Sequence, residues 1–405
     1  MRRRLARYYQ TFPCQLWVVV AGTFVNSLGS ALVFPFLTLY LRQRMGISMT
    51  QIGLVFTLNA ATSVAFGMIG GLLTDRLGRR SVMLVSLLGS SATLFLMGVA
   101  SSYAAMVALA AAAGIVGSLF QPARDAMVAD LTTPEQRTEA YSVLRIASNL
   151  GFAIGPAIGG FLAATSYLLL FSLAGGASLA FFVATLILVR ETRPDVVETA
   201  DGSKPAVTGF GPVFRDRTFI AFCGLLVLAS MVYSQVTTNL PVYMKESFGL
   251  GERYFGWIMT TNAGMVVALQ LWITRATARW RRLPALALAS LLYGIGVGAI
   301  SLMRIFPGFL LCVVVYTMGE MILAPVSTAF AADLSPADMR GRYMGLMGLT
   351  WGLSYGVGPL LGGAIYDAGF PRELWLFAGA VGVLASIGFA ALQRRVRSRV
   401  RPAAG

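Results

Sequence analysis

Residues 122–160 read PARDAMVADLTTPEQRTEAYSVLRIASNLGFAIGPAIGG, and residues 325–363 read PVSTAFAADLSPADMRGRYMGLMGLTWGLSYGVGPLLGG. Pro122, Asp130, Arg137, Gly155, Pro156, Gly159 and Gly160 fall on Pro325, Asp333, Arg340, Gly358, Pro359, Gly362 and Gly363 at one constant offset. The same offset puts Gly53 on Gly256 and Asn59 on Asn262. A few glycines can coincide in a Gly-rich apolar chain. A single register kept along the whole stretch marks an internal repeat, and the chain reads as two homologous halves.

Composition names the solvent. Hydrophobic residues make up 57% of the 405 and charged ones 12%. A soluble domain cannot hide that much apolar side chain, so the surroundings are largely lipid. Twelve apolar runs, each long enough to cross a bilayer as a helix, occupy 15–40, 50–74, 81–100, 103–126, 139–163, 166–189, 218–243, 253–275, 284–303, 307–329, 342–366 and 372–392. Short joins, at Ser101-Ser102 and Thr165-Ser166, imply antiparallel neighbours. The prediction is an all-α membrane protein of twelve transmembrane helices in two pseudo-symmetric six-helix bundles. One bundle takes 1–189 and the other 218–405, which ends in a short basic tail. Residues 190–217 mix Asp, Glu, Thr, Gly and Pro without apolar periodicity and read as the linker. The N-terminus MRRRLARYYQTF is basic, but the apolar run after it is too long for a signal peptide and reads as a retained first span.

The net charge of +15 suggests nucleic acid only until its distribution is considered. The basic residues form short clusters between apolar runs, with no stripe and no nucleic-acid motif. Arg2, Arg3, Arg4 and Arg7, then Arg76, Arg79 and Arg80, Arg137, the linker, Arg275 to Arg282, Arg340, Arg342 and the tail from Arg394 lie on one side. Only Arg42, Arg44, Lys245, Arg253, Arg304 and Arg372 lie on the other. By the positive-inside bias, both termini are expected in the cytoplasm, with the protein multi-pass in the cell inner (plasma) membrane. Cys14, Cys223 and Cys312 are isolated, so neither a disulfide framework nor a metal site is expected, and no cofactor. Histidine is absent, which leaves proton chemistry near neutral pH to a carboxylate. No nucleophile with a nearby base and no nucleotide loop is present, so the chain is not read as an enzyme.

The join after the second run reads Gly71-Leu72-Leu73-Thr74-Asp75-Arg76-Leu77-Gly78-Arg79-Arg80. Asp75 ends a helix, where the macrodipole disfavours negative charge, and so needs an arginine or a helix N-terminus as partner. Gly71 and Gly78 permit a close backbone approach and a tight turn. Here the chain resembles the major facilitator superfamily, whose signature G-x-L-x-D-R-x-G-R-[KR] is matched at every specified position. The resemblance implies the major facilitator fold, monomeric as is usual in that family, and a loop that latches the two halves on the cytoplasmic face. The second half keeps only Arg279-Trp280-Arg281-Arg282, with Ala278 where Asp75 would stand. Asp130, Pro134, Glu135 and Arg137, matched by Asp333, Pro336 and Arg340, are expected to add salt bridges that close the same face. Gly151, Gly155, Pro156, Gly159 and Gly160 are similar to the G-x-x-x-G-P-x-x-G-G motif that marks antiporters in this superfamily. The proline kinks the helix and the small residues admit a close neighbour. The span-four arginine common in related transporters is missing: Ala110 precedes Gly114 at that spacing.

Glu320 is the sharpest single residue. It sits near the middle of FLLCVVVYTMGEMILAPVSTAF, while every other Asp or Glu lies in a loop or near a span end. A charge at mid-membrane is expensive and protonation relieves it, so the group suits reversible proton binding. Tyr316 and Thr317 share its helical face. The family places spans one, four, seven and ten around a central cavity, and the Tyr316-Thr317-Met318-Gly319-Glu320 run is similar to multidrug/proton antiporters in which such a glutamate handles protons and cations. Its repeat partner is Gly117. Arg145, with Asn149 one turn on, is the second coupling candidate: it pairs with Glu320, binds an anionic group, or snorkels to the interface. The substrate cavity is expected to take Asn26, Ser30, Tyr233, Gln235, Thr238, Asn239, Tyr316, Thr317, Trp351, Tyr355 and Asn149. The resemblance thus implies a proton-coupled antiporter that exports amphiphilic or hydrophobic small molecules by rocking of two halves, with protons, a small-molecule substrate and membrane lipid as its partners. A lipid or lysolipid transporter, an exporter of an endogenous metabolite and, more remotely, a transporter-like sensor are the alternatives.

Overall fold

A computed structural model of the chain describes residues 12–193, 211–277, 279–336 and 339–400. The arginines at 2–7, most of the linker, Ala278 and the last five residues lie outside them. All regular structure among the described residues is helical. Lipid offers no partner to a backbone N–H or C=O, so each apolar run closes its hydrogen bonds within itself. The long helices are α1 (Cys14–Val33), α2 (Met49–Leu77), α3 (Arg79–Val99), α4 (Tyr103–Asp130), α5 (Pro134–Thr165) and α6 (Tyr167–Leu188) in the first half. The second half has α7 (Arg217–Thr238), α8 (Glu252–Thr277), α9 (Arg282–Gly298), α10 (Phe306–Leu334), α11 (Arg340–Asp367) and α12 (Glu373–Val400). A 3₁₀ turn at Phe34–Phe36 and a short helix, Leu37–Met45, extend α1, and Leu240–Phe248 extends α7.

Polar residues at the joins start the helices. Ser102 and Ser166 accept from the backbone N–H of Ala105 and Leu169, and Asp216 accepts from Thr218 and Phe219, both at 3.0 Å. Each satisfies N–H groups that a first helical turn leaves unpaired. Pro122, Pro156, Pro325 and Pro359 lie inside α4, α5, α10 and α11, which continue through them. Among the described residues, ten segments are long and apolar enough to cross a membrane. α8 and α11 match the predicted runs in position and length but carry more polar side chains, among them Thr260, Asn262 and Gln270 on one and Thr350 and Ser354 on the other.

The described residues fall into two compact units. In the first, α1 packs on α5 and α6, and α3 on α4 and α6. Leu16 and Val19 of α1, Met83 and Leu87 of α3, Met127 of α4 and Phe181 of α6 meet in its core. In the second, α7 packs on α11 and α12, and α9 on α10 and α12. These are the same pairings, as the repeat requires. Phe222 of α7 stacks edge-on to Phe330 of α10 and lies near Phe389 of α12. Residues 46–57, which open α2, belong to this second unit. There Asp367, at the end of α11, accepts from the backbone N–H groups of Met49 (2.9 Å) and Thr50 (2.7 Å) and from the Thr50 hydroxyl (2.6 Å). A carboxylate from a distant part of the sequence thus caps α2.

Candidate functional site

In the second unit, the side chain of Asn262 on α8 donates to Glu320 Oε2 at 2.7 Å and lies 3.0 Å from Thr317 Oγ1, both on α10. Glu320 is half-buried. Gly319 beside it has no room for a side chain: a Cβ there would come within 2.7 Å of the Ala289 carbonyl oxygen, so α9 lies directly on α10. That contact brings Tyr293 of α9 to Tyr316, and Tyr233 of α7 meets both. Trp351 of α11 stands edge-on to Tyr233 and stacks on Tyr355, one turn further along. The Tyr316 hydroxyl is buried without a hydrogen bond among the described residues. The result is one carboxylate within electrostatic reach of four tyrosines contributed by four helices.

The first unit uses the repeat differently. Asn59, the partner of Asn262, donates to the backbone oxygen of Ala110 on α4 at 2.9 Å. Gly114 stands where α10 has Thr317, and Thr62 and the Asn59 carbonyl fill the space above it. No acid faces that asparagine, because Gly117 occupies the position of Glu320. What this unit has instead is a cavity of about 490 Å³ between α1, α4 and α5. Asn26, Ser30, Gln121, Arg124, Asp125, Arg145 and Asn149 line it, with Gly117 open to it. Arg124 pairs with Asp125 at 2.7 Å and lies over the Phe120 ring.

The predicted substrate set therefore divides. Asn26, Ser30 and Asn149 line the first cavity; Thr317 shares the Asn262 amide with Glu320, Tyr233, Tyr316 and Tyr355 lie within its electrostatic reach, and Trp351 packs on Tyr233 and Tyr355. Gln235, Thr238 and Asn239 do neither, which corrects the expectation for them. They are buried. Gln235 donates to the Gly358 carbonyl at 2.8 Å and accepts from Asn239 at 2.6 Å, while Thr238 donates to Ser234. The side chains of Ser234 and Gln235 occupy the space left by Gly358, those of Gln235 and Asn239 the space left by Gly362, and the Gln235 bond holds α7 to α11. The antiporter-like motif packs the equivalent pair in the first unit. A Cβ at Gly151 would come within 2.8 Å of the Phe24 carbonyl, one at Gly155 within 2.5 Å of Ala31 Cβ, and one at Gly159 within 2.6 Å of the Leu32 carbonyl. Three glycines on one face seat α5 against the backbone of α1.

At the Arg-rich end, Arg79 bridges Asp130 at 2.9 Å and touches Asp75 more loosely at 3.5 Å. Arg282 bridges Asp333 at 3.2 Å. These are repeat partners, so Asp130 and Asp333 are each engaged by an arginine of their own unit. Arg137 donates to the Ala129 carbonyl, and the Arg76 carbonyl accepts from Arg193. The side chain of Arg340 lies outside the described residues. Gly71 needs no close approach, since a Cβ there would meet nothing within 4 Å. Gly78 does need to be glycine. Its backbone, at φ 92° and ψ 156°, lies in a region that only glycine occupies readily.

The description of the Major Facilitator Superfamily matches residues 19–254 and 225–405. The chain belongs to the Major Facilitator Superfamily. This facilitator is 28% identical to the multidrug resistance protein MdtH of Yersinia pestis (strain Pestoides F), over 95% of its own length and 94% of the relative's. It is 26% identical to the Na(+), Li(+), K(+)/H(+) antiporter of Planococcus maritimus, over 85% of its length and 88% of the relative's. The crystal structure of a POT family transporter in complex with 5-aminolevulinic acid superimposes with a TM-score of 0.80 at 15% identity, covering 96% and 99% of the two chains. The protein is a multi-pass membrane transporter and not an enzyme.

One residue of this facilitator escaped the sequence reading. Glu191, just past α6, accepts from the backbone N–H of Arg79, Arg80, Thr192 and Arg193 at 2.9–3.1 Å. It caps α3, whose own N-cap, Gly78, has no side chain to offer. The only signal in the sequence was that vacancy. Burial alone would raise the pKa of Glu191, but the four N–H groups outweigh it and hold the carboxyl below its ordinary value. Stability from this cap is thus full above the ordinary carboxylate pKa and lost as pH falls through the lowered one. Glu191→Gln should lower the melting temperature at pH 7, and the gap from wild type should close in acid. Gly78→Ala should cost about 1–3 kcal/mol from the backbone alone, and its Cβ would also run into the Glu191 carboxylate. Melting curves of the purified variants at pH 7 and pH 4 check both; a gap that widens in acid would contradict the cap.

Proposed function

We propose that this transporter is a proton-coupled exporter of amphiphilic small molecules, working by alternating access between two six-helix bundles, 1–189 and 218–405, joined by 190–217. The observation that carries the reading is Glu320, an acid in the membrane-spanning part of α10 that accepts from an amide donor and lies within electrostatic reach of four tyrosines. Such a carboxylate is costly when charged and is neutralised by one proton. The surrounding rings offer broad apolar contact together with attraction for a positive group. Proton and substrate compete for the acid, and the winner biases the state of the protein. Arg145, whose charge is permanent, shares in coupling only as a fixed cation. The names of the relatives, one for multidrug resistance and one for cation/proton antiport, support the direction and the coupling ion. The charge bias of the loops supports cytoplasmic termini in a plasma membrane, with the Arg-rich ends as the latch.

Each inward proton supplies about 2.3 kcal/mol per 100 mV, together with any pH gradient. Purified protein in sealed vesicles should therefore move an amphiphilic dye uphill when a pH gradient is imposed, and lose that ability when a protonophore collapses it. Downhill leakage unaffected by the gradient would leave a facilitator without coupling and overturn the proposal.

A further inference from the structure

The cavity of the first unit has a charge balance that the coupling acid does not explain. Three charged side chains line it: Arg124, Asp125 and Arg145. Arg124 and Asp125 neutralise each other through contacts of 2.9 and 2.7 Å. No hydrogen bond or ion pair reaches the guanidinium of Arg145 among the described residues. The side chains of Gln121, Asn149 and Ser30, which line the cavity from α4, α5 and α1, likewise make no hydrogen bond among the described residues. The cavity therefore carries one uncompensated positive charge and several free polar groups.

Packing does not require this arginine. Its repeat partner in α11 is Gly348, where a Cβ would meet nothing within 4 Å. Nor does it sit at a helix end: it lies about three turns inside α5, roughly 16 Å along the axis at 1.5 Å per residue. Arg145, Ser148, Asn149 and Phe152 recur at the spacing of one helical face, and all four line the cavity. That face offers a cation first, a hydroxyl and an amide next, and a ring last.

We propose that this cavity is a binding site for the oxyanion head, carboxylate or phosphate, of an amphiphile, with Arg145 as the anchor. The guanidinium presents a planar fork of donors that matches either head in a bidentate pair. Gln121 and Asn149 supply further donors, and Phe120 and Phe152 provide apolar wall for the tail. The volume of about 490 Å³ holds a head and a short chain. This rests on the transport reading only in taking the occupant to be amphiphilic.

The test uses the full-length protein in maltoside micelles without a pH gradient, so failure of uphill efflux and failure of this site are separate results. Octanoate and octyl phosphate are titrated beside octyltrimethylammonium, octanol, acetate and inorganic phosphate, with tryptophan fluorescence as the readout. Wild type should bind the two anionic amphiphiles at least about tenfold more tightly than octanol. Arg145→Gln should remove that preference and leave octyltrimethylammonium unchanged, while Arg145→Lys should keep an intermediate preference. Unliganded melting curves check the fold of both variants, and the comparison of octanoate with octanol on wild type decides even if neither folds. An absent preference in wild type, or an equal loss for all probes in Arg145→Gln, would overturn the site. Inorganic phosphate competing as well as octyl phosphate would overturn the amphiphile as its occupant.

Discussion

Glu320→Gln is expected to leave the protein folded and membrane-inserted but to abolish efflux against a gradient. The fold should survive because glutamine keeps the shape of the side chain and a carbonyl oxygen where Glu320 Oε2 now accepts from Asn262. The exchangeable proton is what is lost. At about 2.3 kcal/mol for 100 mV and about 1.4 kcal/mol for one pH unit, one coupled proton sustains a concentration ratio of a few hundredfold. The variant should hold a ratio near one while still letting substrate equilibrate downhill. Dye accumulation in vesicles under an imposed gradient measures this directly. Retained uphill accumulation in a correctly folded Glu320→Gln would remove Glu320 from the mechanism. Glu320→Ala is the harsher variant, since it removes one of the two acceptors of the Asn262 amide, leaving only Thr317, and should lower stability as well as coupling.

Gly155→Leu should prevent recovery of a folded protein, where Gly155→Ala should cost about 1–3 kcal/mol of stability. The atoms in the way are the Ala31 Cβ at 2.5 Å and, at 3.0 Å, the Ala31 carbonyl carbon and the Leu28 carbonyl oxygen. Most of these are backbone and cannot rotate aside, so α1 has to retreat along its whole length. Retreat also strips α1 from α6, where Gly29 sits on Ala174 and Ala177. Total stabilities of about 5–15 kcal/mol leave little margin for such a loss. Gly117→Leu is the control: its Cβ would meet nothing within 4 Å, and the side chain would project into the open cavity. Size-exclusion profiles and melting curves of the three variants are the measurement. A Gly155→Leu protein that melts with wild type would mean that α1 and α5 are not in contact there.

The glycine motif was legible as a packing device because small residues at helical spacing have no other use in an apolar run. Its partner was not. Nothing in the sequence distinguishes Gly155, which meets backbone, from Gly362, whose space is filled by the side chains of Gln235 and Asn239. Those two amides looked like substrate ligands on α7 for the same reason: polarity is visible in a sequence, while the direction in which a helix turns a side chain is not. Glu320 was found because a lone carboxylate in the middle of an apolar run is conspicuous wherever it points. Asn262 was noticed only as the repeat mate of Asn59, and the structure makes it the residue that holds the acid. Glu191 lies beyond the last residue of a span and matches no motif. Its importance depends on Gly78 lying beside it, more than a hundred positions earlier in the chain.

The sequence by itself determined the all-helical class, the approximate place of the long apolar helices, the duplication, and the presence of one acid deep in the apolar part. Lipid enforces this, because it obliges every spanning segment to satisfy its backbone locally, and local rules can be read along a chain. Only the tertiary structure decided which side chains meet: Asn262 with Glu320, Arg79 with Asp130, Glu191 with the start of α3, and Arg145 with nothing among the described residues. Each residue turns a helix by about 100°, and rotation and depth are fixed jointly by all the neighbours a helix packs against. Partners far apart in sequence are therefore set by the whole bundle and by no single span.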